Sequence, residues 1–336
     1  MSEQRIIRFM RIRTPMAIFS LLVVLAGIAS MATQGLNLGL DFTGGTTAEL
    51  NYAQPVEQEA VRAAMEAGGF ADVVVQHVGS ATGVMLRMPP QKGHQANISD
   101  DILRAANFDP ANPATIKQVE SVGSQVGGEM YLNSLLAISL SLALMAVYVG
   151  FRFRFKLAFG AVVSLVHDVL FTVGAFAIFG WPFDLTVLAA VLALIGYSLN
   201  DTIVIFDRIR ENFRKLRKSD PLEVVDISLT ETLRRTFMTA GTVVVVLLAL
   251  LWLGGPALQW FSVALLIGTF AGTYSSIYIA TNYALVMGLN KEDFIEKPKV
   301  EVVEEGFDLI WVHGFRSNTN LRFWVQMSAS GWKAST

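Results

Sequence analysis

Six long apolar stretches constrain this chain more than anything else in it: residues 15–33, 131–151, 155–179, 183–206, 236–253 and 260–289. Each is close to the ~20 residues that an α-helix needs to cross a ~30 Å hydrocarbon core. A bilayer is therefore the solvent for most of the protein. Composition agrees, with a mean hydropathy of +0.47 and charged residues at 16%, against about 25% in an ordinary soluble domain. The fold class expected is an α-helical polytopic membrane protein with six transmembrane helices.

Lys and Arg set the orientation. Arg5, Arg8, Arg11 and Arg13 precede the first helix, and Arg152, Arg154 and Lys156 separate the second from the third. Arg208, Arg210, Arg214, Lys215, Arg217, Lys218, Arg234 and Arg235 separate the fourth from the fifth, and Lys291, Lys297 and Lys299 follow the sixth. The short opposite loops, 180–182 and 254–259, carry neither Lys nor Arg. The positive-inside rule then puts both termini, residues 1–14 and 290–336, in the cytoplasm. A basic start, an apolar run and Ser30-Met31-Ala32 also fit a cleaved signal peptide, although the run is long for an h-region. On either reading the next segment faces outward.

That segment, 34–130, has the periodicities of a soluble α+β domain. Strands are expected at 46–52, 73–78, 84–88 and 115–122, and helices at 56–67 and 98–106, with a turn at 79–83. The order β-α-β-β-α-β is the ferredoxin-like pattern, with both helices on one face of a four-stranded antiparallel sheet. Residues 89–97 read as a loop and 123–128 as a flexible glycine hinge. The domain has no paired carboxylates or Ser/His spacing for catalysis, and His77 and His94 read as solvated or structural. Cysteine is absent, which removes disulfides, thiolate metal sites and a cysteine nucleophile. The four histidines form no His-x-x-x-His pair. No metal, cofactor or nucleic-acid partner is expected, and the chain does not read as an enzyme.

Chemistry is expected instead where charge enters the apolar stretches. Asp201 interrupts the fourth, and a central Asp costs roughly 2.5–3.5 kcal/mol to insert, so an acid there marks a functional site by default. It lies ~8 Å from the inner end of its helix at 1.5 Å per residue, a depth that the long side chain of Arg235 on the antiparallel fifth helix can partly span. Arg234, its neighbour, is an alternative. Burial favours the neutral acid and a nearby guanidinium favours the carboxylate, so small movements can switch the group between the two, as a proton relay requires. The plainer reading is a static ion pair between two helices.

Asn200, Ser198 and Thr202 are candidates to hydrogen-bond Asp201 or a proton-carrying water, or to act as interhelical glue. His167 and Asp168 in the third helix lie at similar depth and are secondary candidates, although neighbours on one helix are expected to point to different sides. Asp207 reads as solvated. Gly268 and Gly272 read as close helix packing. In the loop 207–235, Asp220, Pro221 and Glu223 start a helix whose Leu222, Val225, Leu229 and Leu233 face reads as amphipathic and interfacial. Gly44-Gly45 permits a tight turn after the first helix, with Asp41 bonding local amides, and no Walker lysine follows.

Several ordered motifs carry a family resemblance. They are Gly39-Leu40-Asp41-Phe42-Thr43-Gly44-Gly45, Val149-Gly150-Phe151-Arg152-Phe153, His167-Asp168, and Gly196-Tyr197-Ser198-Leu199-Asn200-Asp201-Thr202-Ile203-Val204 running into Asp207-Arg208-Ile209-Arg210-Glu211-Asn212-Phe213. Together, over about residues 5–295, the chain resembles the SecF family of the SecD/SecF bacterial protein-export complex, in the resistance-nodulation-division superfamily. The resemblance implies an inner-membrane location and the use of the proton-motive force to draw secreted chains outward. It implies SecD, the SecYEG translocon, YajC, YidC and the exported polypeptide as partners. It also places the family's essential membrane carboxylate at Asp201 and its essential arginine at Arg235. A non-conducting scaffold for SecD and the translocon, or a small-molecule exporter of the same superfamily, are the alternatives. Residues from about Gly306, with Trp311, Trp324 and Trp332, show no helical or strand periodicity and match nothing in the family.

Overall fold

The computed structural model describes residues 6–91, 97–294, 326–328 and 331–333. Arg5, Lys92, His94, Lys297, Lys299, Trp311 and Trp324, with much of the 89–97 loop, lie outside the described residues. Two units result, Met1–Phe294 and Ile295–Thr336. In the second, β7 (Gln326–Ser328) and β8 (Gly331–Lys333) pair as a small antiparallel hairpin, so Trp332 sits in a strand that its periodicity did not announce.

Six helices of the first unit are long and apolar enough to cross a membrane. They are α1 (Arg13–Thr33), α5 (Ser124–Arg152), α6 (Phe155–Phe179), α7 (Leu185–Lys215), α8 (Pro221–Leu253), and α9 (Pro256–Ser275), which continues through a π-helical turn (Ser276–Ala280) into α10 (Thr281–Val286). The apolar windows of α6, α7 and the α9–α10 span are the most buried, whereas α1, α5 and α8 leave most of theirs open. Glycine permits the tightest crossings. A Cβ on Gly27 of α1 would lie 2.8 Å from the Gly174 Cα of α6, and one on Gly160 would strike the Ala280 carbonyl at the π turn.

Between α1 and α5 lies the α+β domain. Its sheet contains β2 (Gly45–Tyr52), β3 (Val74–Val78), β4 (Ser80–Met88) and β5 (Ala114–Val122) in the order β3-β4-β2-β5, all pairs antiparallel. With α3 (Gln58–Ala67) and α4 (Ile98–Ala106) this is the ferredoxin-like topology. Alternation decides which face is covered: Ala48, Leu50 and Tyr52 point inward to Val61 and Met65 of α3 and Ile102 and Ala106 of α4. Tyr52 donates to the Ala106 carbonyl at 3.2 Å, and burial pushes its phenol up to about 12.

Three expectations need correction. Residues 123–128 are not a hinge: α5 begins at Ser124, because Gly127 lets its first turn close onto Gly44, where a Cβ on Gly127 would lie 2.7 Å from the Gly44 nitrogen. Residues 207–235 are not a loop with a separate interfacial helix. The fourth helix runs on to Lys215, and the fifth starts at Pro221 with no glycine or proline to interrupt it before Gly241. Val224, Val225 and Leu229 then bury in the same core as Ile209 and Phe213 of α7 rather than facing an interface. Asp220 is the N-cap by position, without a side-chain capping bond.

Candidate functional site

Asp201 is 3% exposed on the side of α7 that meets α8. Its Oδ1 accepts from the Thr239 hydroxyl at 3.5 Å, the outer limit of a hydrogen bond, and its Oδ2 has no partner among the described residues. Thr239 itself is held by the carbonyls of Arg235 at 3.1 Å and Thr236 at 3.0 Å. The guanidinium of Arg235 is near enough to act on Asp201 through space, yet the two form no ion pair within 4.0 Å. Buried polar atoms are nearly always partnered, so an orphaned carboxylate oxygen beside an arginine is an unusual arrangement.

Arg235 is exposed and lines a cleft of about 280 Å³ with Val204, Asp207, Arg208, Glu211, Glu231 and Thr232. The cleft opens on the side of the bundle away from the α+β domain, one helical turn from Asp201. Its walls are tied: Arg208 Nε donates to Glu231 at 2.6 Å, Asn212 Nδ2 to Glu231 at 2.7 Å and to Ser228 at 3.0 Å. Asp207 is not simply solvated but pairs with Arg152 of α5 at 2.6 Å. Arg234 is exposed beside Arg235.

Asn200 does not join Asp201. It is exposed, on an open stripe of α7 with Ala189, Ala193 and Gly196, because adjacent residues on a helix diverge by about 100°. Ser198 and Thr202 also turn away, Ser198 donating to Asp168 at 2.5 Å and Thr202 bonding Ser276 at 2.8 Å.

Asp168 is the second intramembrane acid and its surroundings are the reverse of those of Asp201. At 1% exposure, it receives Ser198 and Ser275 on Oδ2 at 2.5 and 2.9 Å and the His167 ring on Oδ1 at 2.9 Å. His167 and Asp168 therefore converge rather than point apart, because the imidazole folds back along α6 to reach its neighbour. Nε2 of His167 then meets Ser20 of α1 at 2.5 Å, and Ser164 donates to Ser275 at 2.8 Å. One network joins α1, α6, α7 and α9. The partners Ser20 and Ser275 were not legible in the sequence, since a lone serine in an apolar run carries no signal.

At the domain side, Asp41 does not bond local amides. It sits in the single helical turn α2 (Leu40–Thr43), and its Oδ2 accepts from the Leu185 backbone at 3.0 Å, the first residue of α7. Gly44 and Gly45 do adopt φ of +70° and +134°, open to glycine, and a Cβ on Gly44 would lie 2.7 Å from Ser124 Cα.

Comparison with known proteins assigns the class. Residues 103–290 match the model of the protein export membrane protein SecD/SecF C-terminal family, and residues 29–56 match the SecD/SecF GG motif. The fold and these matches define a SecD/SecF-type export membrane protein. Among similar proteins is the protein translocase subunit SecF of Pseudomonas aeruginosa, 46% identical over 89% of this chain and 97% of that one. That of Escherichia coli O157:H7 is 43% identical over 85% of this chain and 88% of its own. The chain belongs to the SecF family. The crystal structure of SecDF, a translocon-associated membrane protein from Thermus thermophilus, superposes with a TM-score of 0.76 at 33% identity over 85% of this chain. This chain spans 39% of that longer polypeptide.

Proposed function

We propose that this chain works with a SecD subunit at the Sec translocon and that protonation of Asp201 couples the proton-motive force to the forward movement of exported polypeptides. In this reading the protein lies in the bacterial inner membrane with both termini and the Arg235 cleft cytoplasmic and the α+β domain outside, an orientation that the Lys and Arg distribution supports. SecYEG, YajC, YidC and the exported chain are the further partners.

The observation that carries the reading is the contrast between Asp168 and Asp201, the buried acids that lie within the apolar runs. Asp168 has a donor for every oxygen, as a permanent structural group should, whereas Asp201 keeps Oδ2 free and meets Thr239 only loosely. A carboxylate that gains and loses a proton each cycle cannot be locked into bonds suited to one state. Arg235 stabilises the charged state from the adjacent helix, and the cleft beside it gives water a route to the cytoplasm. One charge crossing 100 mV yields about 2.3 kcal/mol, so a sizeable mechanical step draws on several protons.

The test is proton flux into inverted vesicles, with protein export measured in parallel, for the parent and Asp201→Asn. Both activities should disappear while the variant still co-purifies with SecD. Undiminished export by Asp201→Asn would instead establish a scaffold role. Active drug efflux without export would point to a small-molecule exporter.

A further inference from the structure

From Asn37 to Gly45 the segment joining α1 to the sheet is held by successive contacts. β1 (Asn37–Leu38) pairs in parallel with β6 (Pro182–Phe183), the strand immediately before α7. The Gly39 nitrogen donates to the Phe183 carbonyl at 2.7 Å, and Asn37 Nδ2 donates to that of Gly180 at 2.9 Å. Asp41 then takes the first amide of α7, that of Leu185, at 3.0 Å. Phe42 lies against Phe183 and Tyr131, with ring centroids 6.1 and 6.4 Å apart, and Gly44 is closed against Ser124 of α5. One residue later Gly45 opens β2, the strand that pairs with both β4 and β5.

No slack residue separates α7 from the centre of the sheet. A free hinge would let the domain ignore the membrane helices, whereas here a displacement of α7 is delivered to Asp41 and, within four residues, to β2. The start of α7 has its own cap in Asp184, whose carboxylate accepts from Val187 at 2.9 Å. Asp41 is thus not needed to begin the helix. Its bond serves the connection between two bodies, and an ionised acceptor on a helix N-terminal amide is favoured by the helix dipole as well.

We propose that residues 37–45 are a transmission joint and that Asp41 is a positioning residue which makes the α+β domain follow the helix that carries Asp201. The proposal rests on the proton-driven reading for its functional consequence, and on the geometry alone for the mechanical one.

The experiment uses the full chain in complex with SecD. In vesicles, Asp41→Ala should retain proton flux while export stimulation falls roughly tenfold, the change that loss of one hydrogen bond to a charged group brings. Asp41→Asn, whose amide oxygen can still accept from Leu185, should restore export. Leu185→Pro deletes the donor at a helix position where proline is well accepted and should reproduce Asp41→Ala, including where Asp41→Ala itself fails to accumulate. The chain has no cysteine of its own, so spin labels at Glu66→Cys in the domain and Leu253→Cys at the end of α8 report their separation directly. That distance distribution should broaden in Asp41→Ala and Leu185→Pro and stay narrow in Asp41→Asn.

Flux and export falling together, or both persisting, would overturn the joint. Absence of flux in the parent would sink the proton-driven reading instead. The label distances then decide the joint alone, with a narrow distribution in Asp41→Ala refuting it.

Discussion

Asp201 approaches Thr239 at 3.5 Å, and it is Thr239, not Arg235, that touches the carboxylate. The hydroxyl is bonded more closely to the carbonyls of its own helix, so it offers Asp201 little. Thr239→Val is therefore expected to reduce proton flux by less than about threefold, the scale of a weak neutral hydrogen bond. Arg235→Gln removes a full charge from the neighbourhood of a buried carboxylate and should cost roughly tenfold or more. Flux assays on the two variants side by side check the order. A larger effect for Thr239→Val would assign the role of Arg235 to the wrong helix turn.

Asp168 and Asp201 should respond differently in stability. Asp168→Ala removes the acceptor shared by His167, Ser198 and Ser275, and a buried donor left unsatisfied in this way costs about 1–3 kcal/mol. Ser275→Ala removes two interhelical bonds, to Asp168 and from Ser164 of α6, each worth ~0.6 kcal/mol on average in a membrane. Asp201→Asn replaces a loosely held carboxylate by an amide and should leave thermal unfolding in detergent unchanged or slightly raised. Equal melting of the Asp168→Ala and Asp201→Asn proteins would remove the distinction.

Helix packing supplies a third expectation. Gly174→Val forces a side chain into a site where even a Cβ meets Gly27 Cα at 2.9 Å, and overpacking of this kind costs about 1–3 kcal/mol. Gly196 of α7 has open space around it in the isolated chain, so Gly196→Ala should not lower the melting temperature. Gel-filtration yield and melting temperature of the two variants are sufficient readouts.

In the α+β domain the pH dependence has a definite sign. The Tyr52 phenol titrates at about 12 when folded, above the value of about 10 expected in the unfolded chain. A group whose folded value is raised contributes stability that is complete below about pH 10 and is lost as pH rises through about 12. The protection of β2 amides, taken relative to their base-catalysed intrinsic exchange, should fall over that window in the parent. In Tyr52→Phe, which starts weaker by about 1 kcal/mol for the lost bond to Ala106, this alkaline loss should be absent.

Much of the architecture was legible because a bilayer and a sheet each impose one simple periodicity. The apolar runs locate the six helices, and the alternation of Ala48, Leu50 and Tyr52 against Thr47, Glu49 and Asn51 locates the central strand. What was not legible depended on tertiary partners. Asn200 reads as a neighbour of Asp201 in sequence, but the helix turns it outward. Asp41 looks like a turn residue because its partner, Leu185, is far away in the chain. The continuation of α7 and α8 past the apolar runs is not legible because their polar ends pack against each other: charge there reads as a loop, where the structure has Asn212 bonded to Ser228 and Arg208 to Glu231.

α7 is gripped at both extremities, by Asp41 on the amide of Leu185 and by the Arg208, Asn212 and Glu231 ties to α8. A rod held in two bearings resists sliding along its length but tolerates twist about its own axis. A few degrees of such turning would shift the carboxyl group slightly along the α8 seam, toward or away from Thr239, so rotation, not piston travel, is the motion this mounting permits.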